Sequence, residues 1–95
     1  MKSRKRTFVT ENVDGFRGVH KVLGSRCRFM GVHYTENGQY KIVNAQFRPK
    51  HAGRDQDKVD GMITVWDRNN KRNLRIPTAR IIQIRADRTC YQVRH

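Results

Sequence analysis

No stretch of this chain approaches the roughly 18 consecutive apolar residues of a membrane-spanning helix, so nothing in it reads as a membrane anchor. Apolar side chains fill only 36% of the 95 positions. A chain that short and that polar builds one small core, without room for a deep cavity between two lobes. The basic start (Lys2, Arg4, Lys5, Arg6) runs into Thr7-Phe8-Val9-Thr10-Glu11 with no apolar signal-peptide core. A cytoplasmic location follows as the expectation, in a bacterium or a phage-infected host cell, including association with the nucleoid. Cysteine is scarce: Cys27 and Cys90 are expected as separate buried thiols in a reducing compartment. There is no Cys-x-x-Cys, and His20, His33, His51 and His95 are scattered among basic neighbours that repel a cation. A structural zinc on Cys27, Cys90 and two histidines is the minor alternative. Gly-rich phosphate loops, a Ser-based nucleophile elbow and His-Glu-x-x-His are absent as well. Neither a cofactor, a resident metal nor an enzymatic activity is expected.

Acidic residues are the other deficit. Eight Asp and Glu stand against 21 Lys and Arg, a formal charge of +13, and arginines outnumber lysines 14 to 7. Folding needs no such excess, and self-repulsion makes it a cost. Arginine is the residue of forked phosphate contacts and of stacking on bases. A polyanionic partner explains this balance better than solubility does.

The chain is punctuated as an all-β chain is, without repeats or low-complexity tracts. Residues 1–6 read as a flexible basic arm and 7–95 as one domain. Thr7 to Val13 alternates as a first strand. Asp14-Gly15-Phe16-Arg17-Gly18 reads as a turn cluster, and His20 to Leu23 as a short strand or a single helical turn ended by Gly24. Arg26 to Tyr34 and Gln39 to Phe47 form a hairpin about Asn37-Gly38, because that step supplies the positive φ angles of a tight turn. Arg48 to Asp60 reads as a solvated loop. Met62 to Asp67 and Asn73 to Ile76 form a second hairpin, closed by Pro77, which cannot donate to a ladder. Thr78-Ala79-Arg80 has the length of a 3₁₀ turn. Ile81 to Arg85 is a further strand, and Cys90, Tyr91 and Val93 mark a last one.

The run MITVWDRNNKRNLRIPTARIIQI, Met62 to Ile84, resembles the C-terminal half of SH3-like and Sm-like small barrels, among them WYL-type domains and the SH3-fold proteins that phages encode. In those families a strand ending in an acidic turn leads to an "R-x-[IFL]" strand, a short turn and then "R-I-x-x-I". Arg75-Ile76 and Arg80-Ile81-Ile82-Gln83-Ile84 fit that form, and the resemblance covers roughly residues 26–85. It implies an SH3-like barrel of about five strands with a 3₁₀ turn. It also implies a small regulator that docks on a host machine.

Functional residues are expected where basic density peaks. From Arg68 to His95 stand eight Lys and Arg and one acid, Asp87. Arg68, Lys71, Arg72, Arg75, Arg80 and Arg85 are the expected phosphate contacts, with Arg26, Arg28 and Lys41 on the neighbouring hairpin. A solvated, charged turn is the alternative. Phe29, Tyr34, Tyr40 and Trp66 are the aromatics that a base would stack on. A small domain needs Phe and Trp in its core, so Tyr34 and Tyr40, flanking the turn, are the expected exposed pair. The arm residues Lys2, Arg4, Lys5 and Arg6 would track a groove or an RNA surface. Asp55, Asp57 and Asp60 would serve a metal-dependent nuclease, but mixed with basic residues they read as a solvated loop. The expected function is phosphate-directed binding of DNA or RNA with limited sequence preference, in regulation of host gene expression. The alternative is a protein-interaction module that docks on RNA polymerase or the ribosome.

Overall fold

Asn37 and Gly38 take φ angles of 52° and 78° and join β2 (Met30–Glu36) to β3 (Gln39–Gln46) through a two-residue turn. That turn fixes the register, with Glu36 opposite Gln39, Thr35 opposite Tyr40 and Tyr34 opposite Lys41. The computed structural model describes residues 9–25, 28–48, 54–86 and 88–95. The basic arm, Arg26, Cys27, His51 and Asp87 lie outside them. The remaining elements are β1 (Val9–Asp14), α1 (Gly15–Gly24), α2 (Arg54–Asp60), β4 (Met62–Asp67), β5 (Arg72–Pro77), a 3₁₀ turn (Thr78–Arg80), β6 (Ile81–Ala86) and β7 (Thr89–Arg94).

The protein is mostly β, as its punctuation implies, but the described residues form seven strands instead of about five. They form one mixed sheet in the order β1-β7-β6-β2-β3-β4-β5. The two extra strands extend the β6 side: β7 pairs antiparallel with β6, and β1 lies parallel to β7. A parallel pair needs a long crossover, and here nearly the whole domain supplies it.

The sheet is rolled, and its connections show why. β5 and β6 are four inter-strand steps apart, about 19 Å in a flat sheet at 4.7–4.9 Å per step. Only Thr78–Arg80 joins them, and a 3₁₀ turn advances about 2 Å per residue. β5 must therefore swing back toward β6. The inner face of the roll carries Met30, Val32, Val43, Ala45, Ile63, Val65, Ile76, Ile81 and Ile84, all buried.

Two segments differ from the sequence reading. Residues 15–24 form a ten-residue helix where a turn cluster and one helical turn were expected. Three glycines argue against a helix by propensity, but Val19, Val22 and Leu23 repeat at helical spacing and bury their stripe in the core. Ser25 closes the helix through its amide to the Lys21 carbonyl and its hydroxyl to the Val22 carbonyl. Likewise residues 54–60 form a helix in place of a loop, with Asp55 and Asp57 in the first turn and Lys58 in the last, as the helix dipole favours.

Gly18 is where α1 crosses β1. A Cβ there would lie 2.7 Å from Val13 Cβ and 3.0 Å from its carbonyl carbon. Helix propensity alone predicts that Gly18→Ala stabilises by up to about 1 kcal/mol. The close crossing predicts the opposite sign, a loss of about 1–3 kcal/mol by overpacking, to be read from denaturant unfolding. A more stable variant would mean that the helix does not approach the strand this closely.

Candidate functional site

Asp67 builds the turn that presents the densest basic cluster. Its Oδ1 accepts the amides of Asn69 (3.1 Å) and Asn70 (3.3 Å), and its Oδ2 accepts the Asn70 side-chain amide at 2.8 Å. Burial pushes this carboxyl up, but the three hydrogen bonds outweigh it and hold the group below its ordinary value. The turn stays anionic and rigid at its base. Around it Arg68, Lys71 and Arg72 are exposed, and no carboxylate of the described residues pairs with Arg68 or Lys71. The Arg68 guanidinium lies 5.2 Å from the centroid of the Phe29 ring, which fixes its direction. Trp66 is half-buried beneath Arg48, whose guanidinium sits 4.7 Å from the ring.

Arg75 has a different partner. It points away from the core, as alternation requires, into the acidic side of α2. Its Nε donates to Asp57 Oδ1 at 2.8 Å and its Nη2 to Asp60 Oδ2 at 2.7 Å. Asp57, only 2% exposed, also accepts the Thr64 hydroxyl at 2.8 Å. The hydrogen bond from Arg75 holds the Asp60 carboxyl below its ordinary value. These acids thus fasten α2 onto β4 and β5. Asp57 and Asp60 converge on the Arg75 guanidinium, and among the described residues no three His, Cys, Asp or Glu converge as a metal site would require.

Three of the expected contact residues meet at one end of the roll. Tyr34, Lys41 and Arg72 line a concavity of about 340 Å³ together with Glu36, Asp67 and Leu74. Arg80 lines an adjoining one of about 190 Å³ beside Tyr34 and Arg75. Lys41 is tied to Glu36 at 2.9 Å. Tyr34 is buried, with 7% exposure, so the expectation of an exposed tyrosine pair is corrected. Pairing through the two-residue turn puts Tyr34 opposite Lys41 and Tyr40 opposite Thr35, and hence the two rings on opposite faces. Burial accordingly pushes the Tyr34 hydroxyl up. Arg28 is exposed ahead of β2, whereas Arg26, Lys2, Arg4, Lys5 and Arg6 lie outside the described residues.

Tyr40 and Arg85 belong to the outer face of the sheet. There a hydrogen-bond network crosses four strands. Gln83 Oε1 accepts Cys90 Sγ–H at 3.0 Å and Gln92 Nε2 at 3.1 Å. That turns the Gln83 amide nitrogen toward His33 Nδ1, 3.3 Å away. Since an amide nitrogen only donates, Nδ1 must accept, and the His33 proton belongs on Nε2. Nδ1 then also accepts the Tyr40 hydroxyl at 2.8 Å. Sequence reasoning missed His33, Gln83, Gln92 and Ile42 as a group. The Asn-Gly register was the available signal, because it places Ile42 opposite His33 on the face that Tyr40 shares.

His20 and His33 both titrate below the ordinary 6.5, first because burial disfavours the imidazolium. At His33 the charge of Arg85 adds to this. At His20, whose Nε2–H donates to the Met62 carbonyl at 3.0 Å, that bond opposes burial and Lys58 reinforces it. The unfolded chain therefore binds protons first. Stability is untouched above 6.5 and falls as pH drops from 6.5 toward the lower folded values. The melting temperature should fall between about pH 7.5 and about pH 5.5, with a smaller fall in His33→Gln. An equal fall in the variant would remove His33 from the account.

No family model, no curated protein and no solved structure matches this chain.

Proposed function

We propose that this chain is a non-enzymatic nucleic-acid-binding domain, built as an SH3-like, Sm-like roll, that grips phosphate with limited sequence preference. The strand order β6-β2-β3-β4-β5, with a 3₁₀ turn before the strand that returns to β2, supports the fold part of the reading. The observation that carries the functional part is how the few carboxylates are used. Asp57 and Asp60 share one cation, Glu36 takes Lys41, and Asp67 holds turn amides. Among the described residues, Asp57, Asp60, Glu36 and Asp67 are thus engaged within the fold, and the cations they take up are Arg75 and Lys41. What remains is a surface on which cations far outnumber carboxylates, with Arg68, Lys71 and Arg72 held on a rigid turn. Such a cluster suits contact with a phosphate backbone, where affinity comes from displaced counterions. A cytoplasmic role in regulating gene expression, in phage-infected cells, is the setting this reading implies.

The test is fluorescence anisotropy with duplex DNA, single-stranded DNA and single-stranded RNA across a salt titration. Arg68→Ala, Lys71→Ala and Arg72→Ala should each weaken binding about equally across sequences. Each should also flatten the slope of log affinity against log salt by roughly 0.7–0.9. Arg75→Ala should behave otherwise: it strips the buried Asp57 carboxylate of its cation, so the melting temperature falls while the salt slope holds. Weak, salt-independent binding to all three nucleic acids would reject the proposal and favour docking on RNA polymerase or the ribosome.

A further inference from the structure

The registers of five adjacent strands align two complete rows on the outer face. One runs Asn12, Gln92, Gln83, His33, Ile42, and the other Thr10, Cys90, Arg85, Gly31, Asn44. Neither row contains a carboxylate, although this is also the face on which Asp57 and Asp60 fasten α2, beyond it over β4 and β5. Each row spans about 19 Å, four strand spacings. At its β3 end stand two side chains that water should not leave bare: Ile42 is 62% exposed and Tyr40, two residues away on the same face, 55%. Arg85 stands within the second row, and Arg94 lies one row beyond the first, opposite the exposed carboxylate Asp14.

We infer that this face takes the unpaired bases of a single-stranded nucleic acid, stacked on Tyr40 and Ile42, with its phosphates toward Arg85 in the second row. The inference rests on the nucleic-acid reading above and deepens it by choosing strand form and location. Tyr40 is already positioned: its hydroxyl is bonded to His33 and its ring stands edge-on to the imidazole, centroids 5.7 Å apart at 78°. A ring held in place loses little freedom when a base stacks on it. Gly31 keeps the middle of the second row open, since a Cβ there would meet nothing nearer than 3.9 Å. Asn12 and Asn44 bring amides to the level of base edges, the groups that read unstacked bases. A duplex, whose bases are stacked on each other, has none to offer to such a plate.

The experiment compares three labelled probes of about 10 nucleotides: an oligo-dT strand, an abasic strand of equal charge, and a duplex. Wild type should bind the oligo-dT strand more tightly than the abasic one and quench Trp66 fluorescence. Tyr40→Ala combined with Ile42→Ala should weaken binding of the base-bearing strand at least about 10-fold, the loss of one or two stacked bases, and leave duplex binding within about twofold. Tyr40→Phe, which keeps the ring, should retain most of the affinity. Both positions are exposed, and an unchanged thermal melt confirms that the double variant folds. If the variant binds the strand as wild type does, or if wild type holds the abasic strand equally well, this placement is overturned while salt-dependent binding stands. If wild type binds none of the probes, the nucleic-acid reading falls and this inference with it.

Discussion

The three residues between β5 and β6 constrain everything else in this molecule. Pro77 ends β5 and Thr78–Arg80 make a single 3₁₀ turn, anchored by the Thr78 amide and hydroxyl on the Gly61 carbonyl, each at 3.0 Å. So short a link cannot span a flat sheet, so the sheet rolls. Once rolled, the inner face closes on itself, and side chains as modest as Val32, Val43, Ala45 and Val65 suffice to fill it. A chain with so few apolar residues has no other economical way to exclude water. The roll also brings the start of β4 near the β1 side, where α1 lies. His20 bridges that gap to the Met62 carbonyl and packs between Phe16 (4.5 Å) and Phe47 (6.5 Å).

Charge is organised by the same geometry. With few acids available, each one that the fold engages has a structural job: Asp67 shapes a turn, Asp57 and Asp60 fasten a helix, and Glu36 steadies Lys41 beside the hairpin turn. Arg75 is the instructive case, because its sequence context is indistinguishable from that of Arg72 three residues earlier. Opposite faces of one strand separate them. Arg72 lies across from Asp67 at the mouth of the roll, while Arg75 meets a helix. Mutual repulsion among so many cations opposes the compact state.

Local rules made much of this legible. Asn37-Gly38, Pro77 and the length of Thr78-Ala79-Arg80 carry their geometry in their chemistry, and both hairpins sit where those residues put them. What local reading missed depends on partners distant in sequence. α1 forms against the propensity of its glycines because the core rewards its Val19, Val22 and Leu23 stripe. α2 is held by Asp57 contacts to Thr64 and Arg75, seven and 18 residues away. The parallel pairing of β1 with β7 joins the two ends of the chain, which no window can see. The burial of Tyr34 is a different kind of miss. The turn had already been located, and counting pairs outward from it separates Tyr34 from Tyr40 without any coordinates.

The outer-face network is best judged by what the fold would lose without it. The core is apolar and lies on the other side of the strands, so Gln83, Gln92, His33 and Cys90 are not required to close it. Backbone ladders already satisfy the strands they sit on. His33 and Cys90 are buried and Gln83 and Gln92 half-buried at this face, and ordering such side chains costs rotamer freedom for hydrogen bonds worth little net. Here they are locked to one another, and the lock ends on the Tyr40 hydroxyl, which fixes an exposed ring in one orientation. Water gains nothing from that ring being fixed, whereas a flat ligand that must lie against it does. The arrangement spends conformational freedom before any partner arrives, and that is the signature of a surface built to be covered.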